Sequence, residues 1–301
     1  MNTIFISMVM EAVPFVLIGV IVSGLIQMFV TERWIARAMP RNRVLSSLFG
    51  CGVGVLFPAC ECGIVPITKR LLDKGVPLPA GIAFMLTGPI INPIVLFSTY
   101  IAFGNDWRMV GIRAGMAVAV ALLVSLVLSF LFPGLPYRTQ GVQSGLEAAA
   151  ATETAAPGSA KPRTSVFRKL HDVFAHAIEE FFSVGKYLVL GAFIAACMQT
   201  YIPTSSLLHI GNTPITASLV MIGLAFTMSL CSEADAFIAA SFRSTFGVGA
   251  LSAFLVFGPM IDIKNTLMLL GHFRGKFVAA LIVFVTLFTL ALSLMVGRLF
   301  G

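Results

Sequence analysis

Long apolar runs separated by short polar and basic segments organise this chain. The runs at 3–30, 109–132 and 277–297 each suffice to cross a bilayer core, which takes about 20 helical residues at about 1.5 Å apiece. The apolar stretch 44–57 would make a helix of about 21 Å, too short for a core of about 30 Å. It ends in Phe57-Pro58-Ala59-Cys60-Glu61-Cys62-Gly63, and a second short stretch, 64–72, leads on to Lys69, Arg70 and Lys74. This pattern predicts a re-entrant helical hairpin over 44–74 with its tip inside the membrane. Residues 79–103 predict a span interrupted at Gly88-Pro89 and again at Asn92-Pro93, because proline lacks a backbone donor and disfavours helix in the residue before it. Irregular backbone at membrane depth is tolerated where it is buried in protein or lines a cavity.

The second half repeats the plan. Gly88-Pro89-Ile90-Ile91-Asn92 returns as Gly258-Pro259-Met260-Ile261-Asp262, and Cys60-Glu61-Cys62 returns, less closely, as Cys231-Ser232-Glu233. Gly19 with Gln27 matches Gly191 with Gln199. Three matches in the same order point to internal duplication. The second half reads as a span at about 178–201, a hairpin at about 213–245 with its tip near Cys231 to Asp235, a broken span at about 248–271 and a final span. Residues 134–165, with the low-complexity stretch Ala148 to Ala160, read as a flexible linker. The expected organisation is a first membrane repeat over 1–133, a cytoplasmic linker over 134–165 and a second repeat over 166–301.

The fold expected is an all-α polytopic membrane protein. Each half supplies three spans, one of them broken, and one hairpin; counting the hairpins as crossings instead gives eight spans. Charge favours the first count. With hairpins that return to the side they left, Arg33, Arg37, Arg41, Arg43, Lys69, Arg70, Lys74, Arg138, Lys161, Arg163, Arg168, Lys169, Arg274 and Lys276 share one side, 14 of the 20 basic residues. The positive-inside rule then puts the linker in the cytoplasm and both termini outside. Three spans per half is an odd number, so the halves are expected to be inverted repeats, a recurring design of secondary transporters.

Composition agrees with a membrane protein: 58% of residues are hydrophobic and 11% charged, against about 25% charged in soluble domains. The net charge of +7 sits mainly in loops beside apolar runs, so it reports topology and not nucleic-acid binding. The first run lacks a basic leader and carries Glu11 and Pro14, which argues against a cleaved signal. Five cysteines inside apolar sequence do not form an extracellular disulfide framework.

Two constellations carry the candidate chemistry. Cys60, Glu61 and Cys62 sit at the first tip, where two thiols one residue apart can converge in a turn on a soft metal(loid); small packing residues are the alternative. Cys231, Glu233 and Asp235 mark the second tip, and Asp262, Lys264 and Asn265 follow the second break. Charges at that depth are costly unless they pair or line water, so an ion pair of Lys264 with Asp262 or Glu233 is the structural alternative. Asn92 and Asn265 are candidates either to orient a ligand or to cap a helix. Cys51 and Cys197 read as packing residues. His171, His176, His209 and His272 lie near span ends without metal-site pairing, and Glu180 and Lys186 read as snorkelling side chains. No phosphate-cradling Gly-Lys-Ser/Thr loop, Gly-x-Ser-x-Gly or His-Glu-x-x-His occurs. No enzyme activity and no cofactor are expected.

Phe57-Pro58-Ala59-Cys60-Glu61-Cys62-Gly63-Ile64-Val65-Pro66, then Gly75-Val76-Pro77, then Leu86-Thr87-Gly88-Pro89-Ile90-Ile91-Asn92-Pro93 resemble the YraQ-type permease family, which includes the organoarsenical efflux permease ArsP. Cys231-Ser232-Glu233-Ala234-Asp235-Ala236-Phe237 looks like that family's second signature. The resemblance implies a bacterial inner-membrane permease, with thiol-mediated handling of a trivalent arsenical in one member. The expected function is a secondary transporter for a small, thiophilic solute bound between the two tips, near Asn92 and Asp262. Expected partners are the lipid bilayer and that solute, with room for a homo-oligomer. Two rivals are a membrane thiol oxidoreductase cycling Cys60 and Cys62, and a subunit of a larger complex energised by a separate ATPase.

Overall fold

The computed structural model describes residues 2–29, 39–40, 42–56, 60–132, 166–201 and 213–300. The linker 134–165, the tip residues Phe57 to Ala59, the side chain of Gln27, His209 and the side chains of His171, His176 and Glu180 lie outside the described residues. Among those described, every regular element is a helix. In the first half these are α1 (Asn2–Phe29), α2 (Arg43–Leu56), α3 (Glu61–Asp73), α4 (Leu78–Ile91), α5 (Pro93–Ala102) and α6 (Trp107–Leu131). The second half runs α7 (Val166–Tyr201), α8 (Pro214–Met228), α9 (Ser232–Ser241), α10 (Val248–Met260), α11 (Ile263–His272) and α12 (Gly275–Phe300). The two series match element by element in order.

Among the described residues, five helical stretches are long and apolar enough to cross a membrane, or six when α4 and α5, bent by 40° at their junction, are taken as one span. The pair α10–α11 passes as a single stretch, Val248–His272. Helices α2 and α8 are apolar but shorter than the spans.

The breaks fall where one sequence signal operates and another does not. Asn92 is extended (φ −68°, ψ 149°), ends α4 and caps α5, whose first residue is Pro93. Proline drives its predecessor out of the helical region and suits the first helical position. The interruption expected at Gly88-Pro89 is absent, since both lie inside α4. Likewise Gly258-Pro259 lies inside α10, and the second break comes later, at Ile261 and Asp262. The clash that proline imposes on its predecessor is largely with a Cβ, which Gly88 and Gly258 lack. Each proline also falls in the last turn of its helix, where little helix remains to be disrupted.

Glycines let the outer helices close on the centre. A Cβ on Gly19 of α1 would come within 2.7 Å of the Gly63 backbone of α3, and one on Gly191 of α7 within 2.8 Å of Lys264 Cα of α11. The repeat-matched glycines therefore seat α3 and α11, which also touch each other. Gln199 of α7 donates to the Met228 carbonyl at the end of α8. In the centre, α9 of the second half packs on α5 of the first, as α11 packs on α3. Helices α3 and α9 thus each lie against a helix of the other half.

Candidate functional site

Four helix starts carry the predicted residues; the Asn92 and Asp262 starts use corresponding side-chain caps, whereas of the two cysteine starts only Cys231 makes a capping bond. Cys60 is the N-cap of α3, in extended conformation (φ −72°, ψ 169°), and Glu61 occupies the first turn. Cys231 is the N-cap of α9, and its Sγ accepts from the Ala234 N–H at 3.5 Å. Asn92 Oδ1 accepts from Val95 N–H at 2.9 Å, and Asp262 Oδ1 accepts from Asn265 N–H at 2.6 Å. Asn92 is thus a helix cap, the plainer of its two expected roles. Asn265 is not one: its Nδ2 donates to the Met260 carbonyl at 2.9 Å, bracing the break. Each start exposes backbone donors and the positive end of a helix dipole.

The turn before α9 is held by Ser229, a left-handed C-cap at φ 46°, ψ 46°. Its hydroxyl accepts the Ile263 N–H at 3.1 Å, tying the hairpin tip to the broken span of the same half.

Lys264 links the halves. Its Nζ lies 3.7 Å from Glu61 Oε1 and 3.6 Å from Asp262 Oδ2, with all three side chains buried. The alternative pairing with Glu233 does not form; Glu233 is half-buried on α9. The Asp262 pairing was expected. The Glu61 pairing was not, because it joins residues more than 200 positions apart in sequence and needs the two halves in contact.

Cys60, Glu61, Cys62, Cys231 and Lys264 line one small recess with Met8, Glu11, Ala12 and Phe15 of α1, about 10 Å³ in this conformation. Cys62 is buried, Cys60 and Cys231 are half-buried, and Glu11 is exposed at the mouth. Three cysteines from two helix starts therefore line one recess beside one ammonium and two carboxylates. Among the described residues, no three of His, Cys, Asp and Glu are grouped as a metal ion would require.

Asp235 lies outside this recess. It is 2% exposed on α9, and its Oδ2 has no hydrogen-bond partner. Near it is Arg113, a residue that sequence reasoning passed over. Arg113 is fully buried in the second turn of α6, and donates from Nη1 to Thr99 Oγ1 at 2.6 Å and from Nη2 to the Ser232 carbonyl at 2.9 Å. Glu11 was also missed. Both carried a readable signal, a lone charge inside an apolar span.

The residues set aside fall in less informative places. Cys51 is in the core, Cys197 is half-buried on α7, and Lys186 is exposed with its ammonium 5.1 Å from the centre of the Tyr187 ring. His272 is buried at the far end of α11.

The sequence matches the family ArsP_1, described as a predicted permease, over residues 1–298. It is 56% identical over 306 residues to the UPF0718 protein YcgR of Bacillus subtilis strain 168, covering 98% of this chain and 96% of that one. It is 43% identical over 301 residues to a protein of Streptococcus mutans named a putative two-component membrane permease complex subunit, covering 98% and 94%. Identity to the UPF0718 protein YraQ of Escherichia coli K12 is 25% over 108 residues, 36% of this chain and 31% of that one. No solved structure matches.

Proposed function

This chain belongs to the ArsP_1 family of predicted permeases, and we propose that it is a secondary transporter of a small thiophilic solute, such as a metal(loid), an organoarsenical or a sulfur compound. The observation that carries this reading is the convergence of Cys60, Cys62 and Cys231 on one recess beside Lys264 and Glu61. The solute's soft atom binds the thiols. Lys264, Glu61 and the helix starts meet its polar substituents.

Transport follows from inverted halves that rock about the tips. In the conformation described here the recess holds about one water-sized sphere, which suits a closed intermediate between two open forms. The Lys264–Glu61 pair then acts as a latch between halves, broken and remade in each cycle. Both termini face outward and the linker 134–165 is cytoplasmic, in a bacterial inner membrane, and the hairpins α2–α3 and α8–α9 are re-entrant. No cofactor is needed for such a cycle, and an enzymatic role has no support in the sequence motifs.

The test is flux in vesicles reconstituted with the full chain. A panel of trivalent arsenicals, antimonite, soft metal ions and small thiols is compared between wild type and the variant Cys60→Ser/Cys62→Ser. Saturable flux of one class in wild type, lowered at least tenfold in the variant, is expected. Equal flux in both removes the thiols from the solute site.

A second reading, in which the chain is one subunit of a two-part permease, is favoured by the name of the Streptococcus mutans relative. Flux that appears only when a co-purifying partner is present would support it.

A further inference from the structure

The solute site leaves two buried charged groups, Arg113 and Asp235, unused. Around the helix starts, among the described residues, three buried carboxylates (Glu61, Asp235 and Asp262) accompany two buried cations, Lys264 and Arg113. One negative charge is in excess, a costly state at membrane depth. Lys264 divides itself between Glu61 and Asp262. Arg113 uses its fork on Thr99 and the Ser232 carbonyl, and its Nε has no hydrogen-bond partner. Asp235, one turn beyond Ser232, is left with no ion pair within 4.0 Å among the described residues, and its Oδ2 has no partner.

The surroundings of Asp235 are specific. That oxygen points at the backbone of Gly258, where a Cβ would come within 2.9 Å of it. Helices α5 and α10, packed against α9, carry no charged residue. The charged groups that face Asp235 are Arg113 from α6, Glu61 from α3, and Asp262 and Lys264 from α11, with Glu233 on its own helix.

Building on the transporter reading, we propose that Asp235 is the coupling-ion site, binding one monovalent cation, H⁺ or Na⁺, that offsets the excess charge while the tips are closed. The bond from Arg113 to the Ser232 carbonyl crosses from the first half to the second. When the halves move apart it breaks, Arg113 becomes free to pair with Asp235, and the cation is released. Cation release is thereby tied to the same motion that opens the thiol recess.

The experiment needs no transported solute. Purified full-length wild type, Asp235→Asn and Cys60→Ser/Cys62→Ser are titrated in weakly buffered detergent solution with an indicator dye, and their thermal midpoints are compared in NaCl and choline chloride. Wild type and the cysteine variant are expected to bind about one more proton per chain on acidification than Asp235→Asn, or to gain a midpoint shift with Na⁺ that Asp235→Asn lacks. The first result identifies H⁺, the second Na⁺. Identical proton uptake and Na⁺ response in all three proteins would overturn the proposal. If Asp235→Asn is not recovered monodisperse, Asp235→Ser, which also removes the carboxyl, replaces it with the same outcomes expected. Failure of the solute reading is seen separately, as unchanged flux in the cysteine variant.

Discussion

Lys264, in the first turn of α11, reaches Glu61 in the first turn of α3 at 3.7 Å and Asp262 beside it at 3.6 Å. One ammonium thus offsets two buried carboxylates, and its loss strands both. Lys264→Met is expected to lower stability by about 3–5 kcal/mol, the usual cost of breaking a buried ion pair from one side. Adding Glu61→Gln should restore part of that loss. Thermal unfolding of the detergent-solubilised single and double variants measures both effects.

The glycine contacts predict a sharp positional contrast. Gly19→Ala and Gly191→Ala put a methyl within 2.7 Å and 2.8 Å of backbone atoms on α3 and α11, and each should cost about 1–3 kcal/mol, as overpacking does. Gly52→Ala meets nothing within 4 Å and should be neutral or stabilising by up to about 1 kcal/mol. Comparing the three midpoints tests the close approach directly.

Arg113→Lys keeps the charge but not the fork. An ammonium cannot hold both Thr99 Oγ1 and the Ser232 carbonyl in the planar geometry of guanidinium. A loss of about 1–3 kcal/mol is expected, and Thr99→Val should cost less once Lys is in place than in wild type. A double-substitution cycle on the unfolding midpoint reads that coupling.

Much of this arrangement was legible in the sequence because membrane burial leaves strong marks. Apolar run length separated spans from the shorter helices α2 and α8, and Asn92-Pro93 marked a helix break because proline's effect on its predecessor is local. Gly88-Pro89 misled for the same kind of reason: the rule assumes a Cβ before the proline, and glycine has none. The cross-half contacts were not legible. Nothing in the sequence near Lys264 names Glu61 as its partner, and Arg113 looked like one more basic residue until Thr99 and Ser232 were brought beside it. The match between Cys60-Glu61-Cys62 and Cys231-Ser232-Glu233 is supported by the caps, since Cys60 and Cys231 both begin helices.

Ser229 holds the second tip in a left-handed turn while accepting the Ile263 N–H at 3.1 Å. Ser229→Ala leaves that buried donor unpaired and should cost about 1–3 kcal/mol. Ser229→Gly loses the same bond but relieves the positive φ, so it should be the milder change. A Ser229→Ala midpoint equal to that of wild type would mean the bond contributes little.

The meeting of the two tips at one recess is tested most directly by cross-linking. Cys60 and Cys231 are kept, Cys51, Cys62 and Cys197 are replaced by alanine or serine, and the protein in vesicles is treated with a short bifunctional thiol reagent. A single intramolecular link between residues 60 and 231, identified by mass spectrometry of the digested protein, is the expected result. Singly modified thiols alone, or links only between two copies of the chain, would contradict a shared recess.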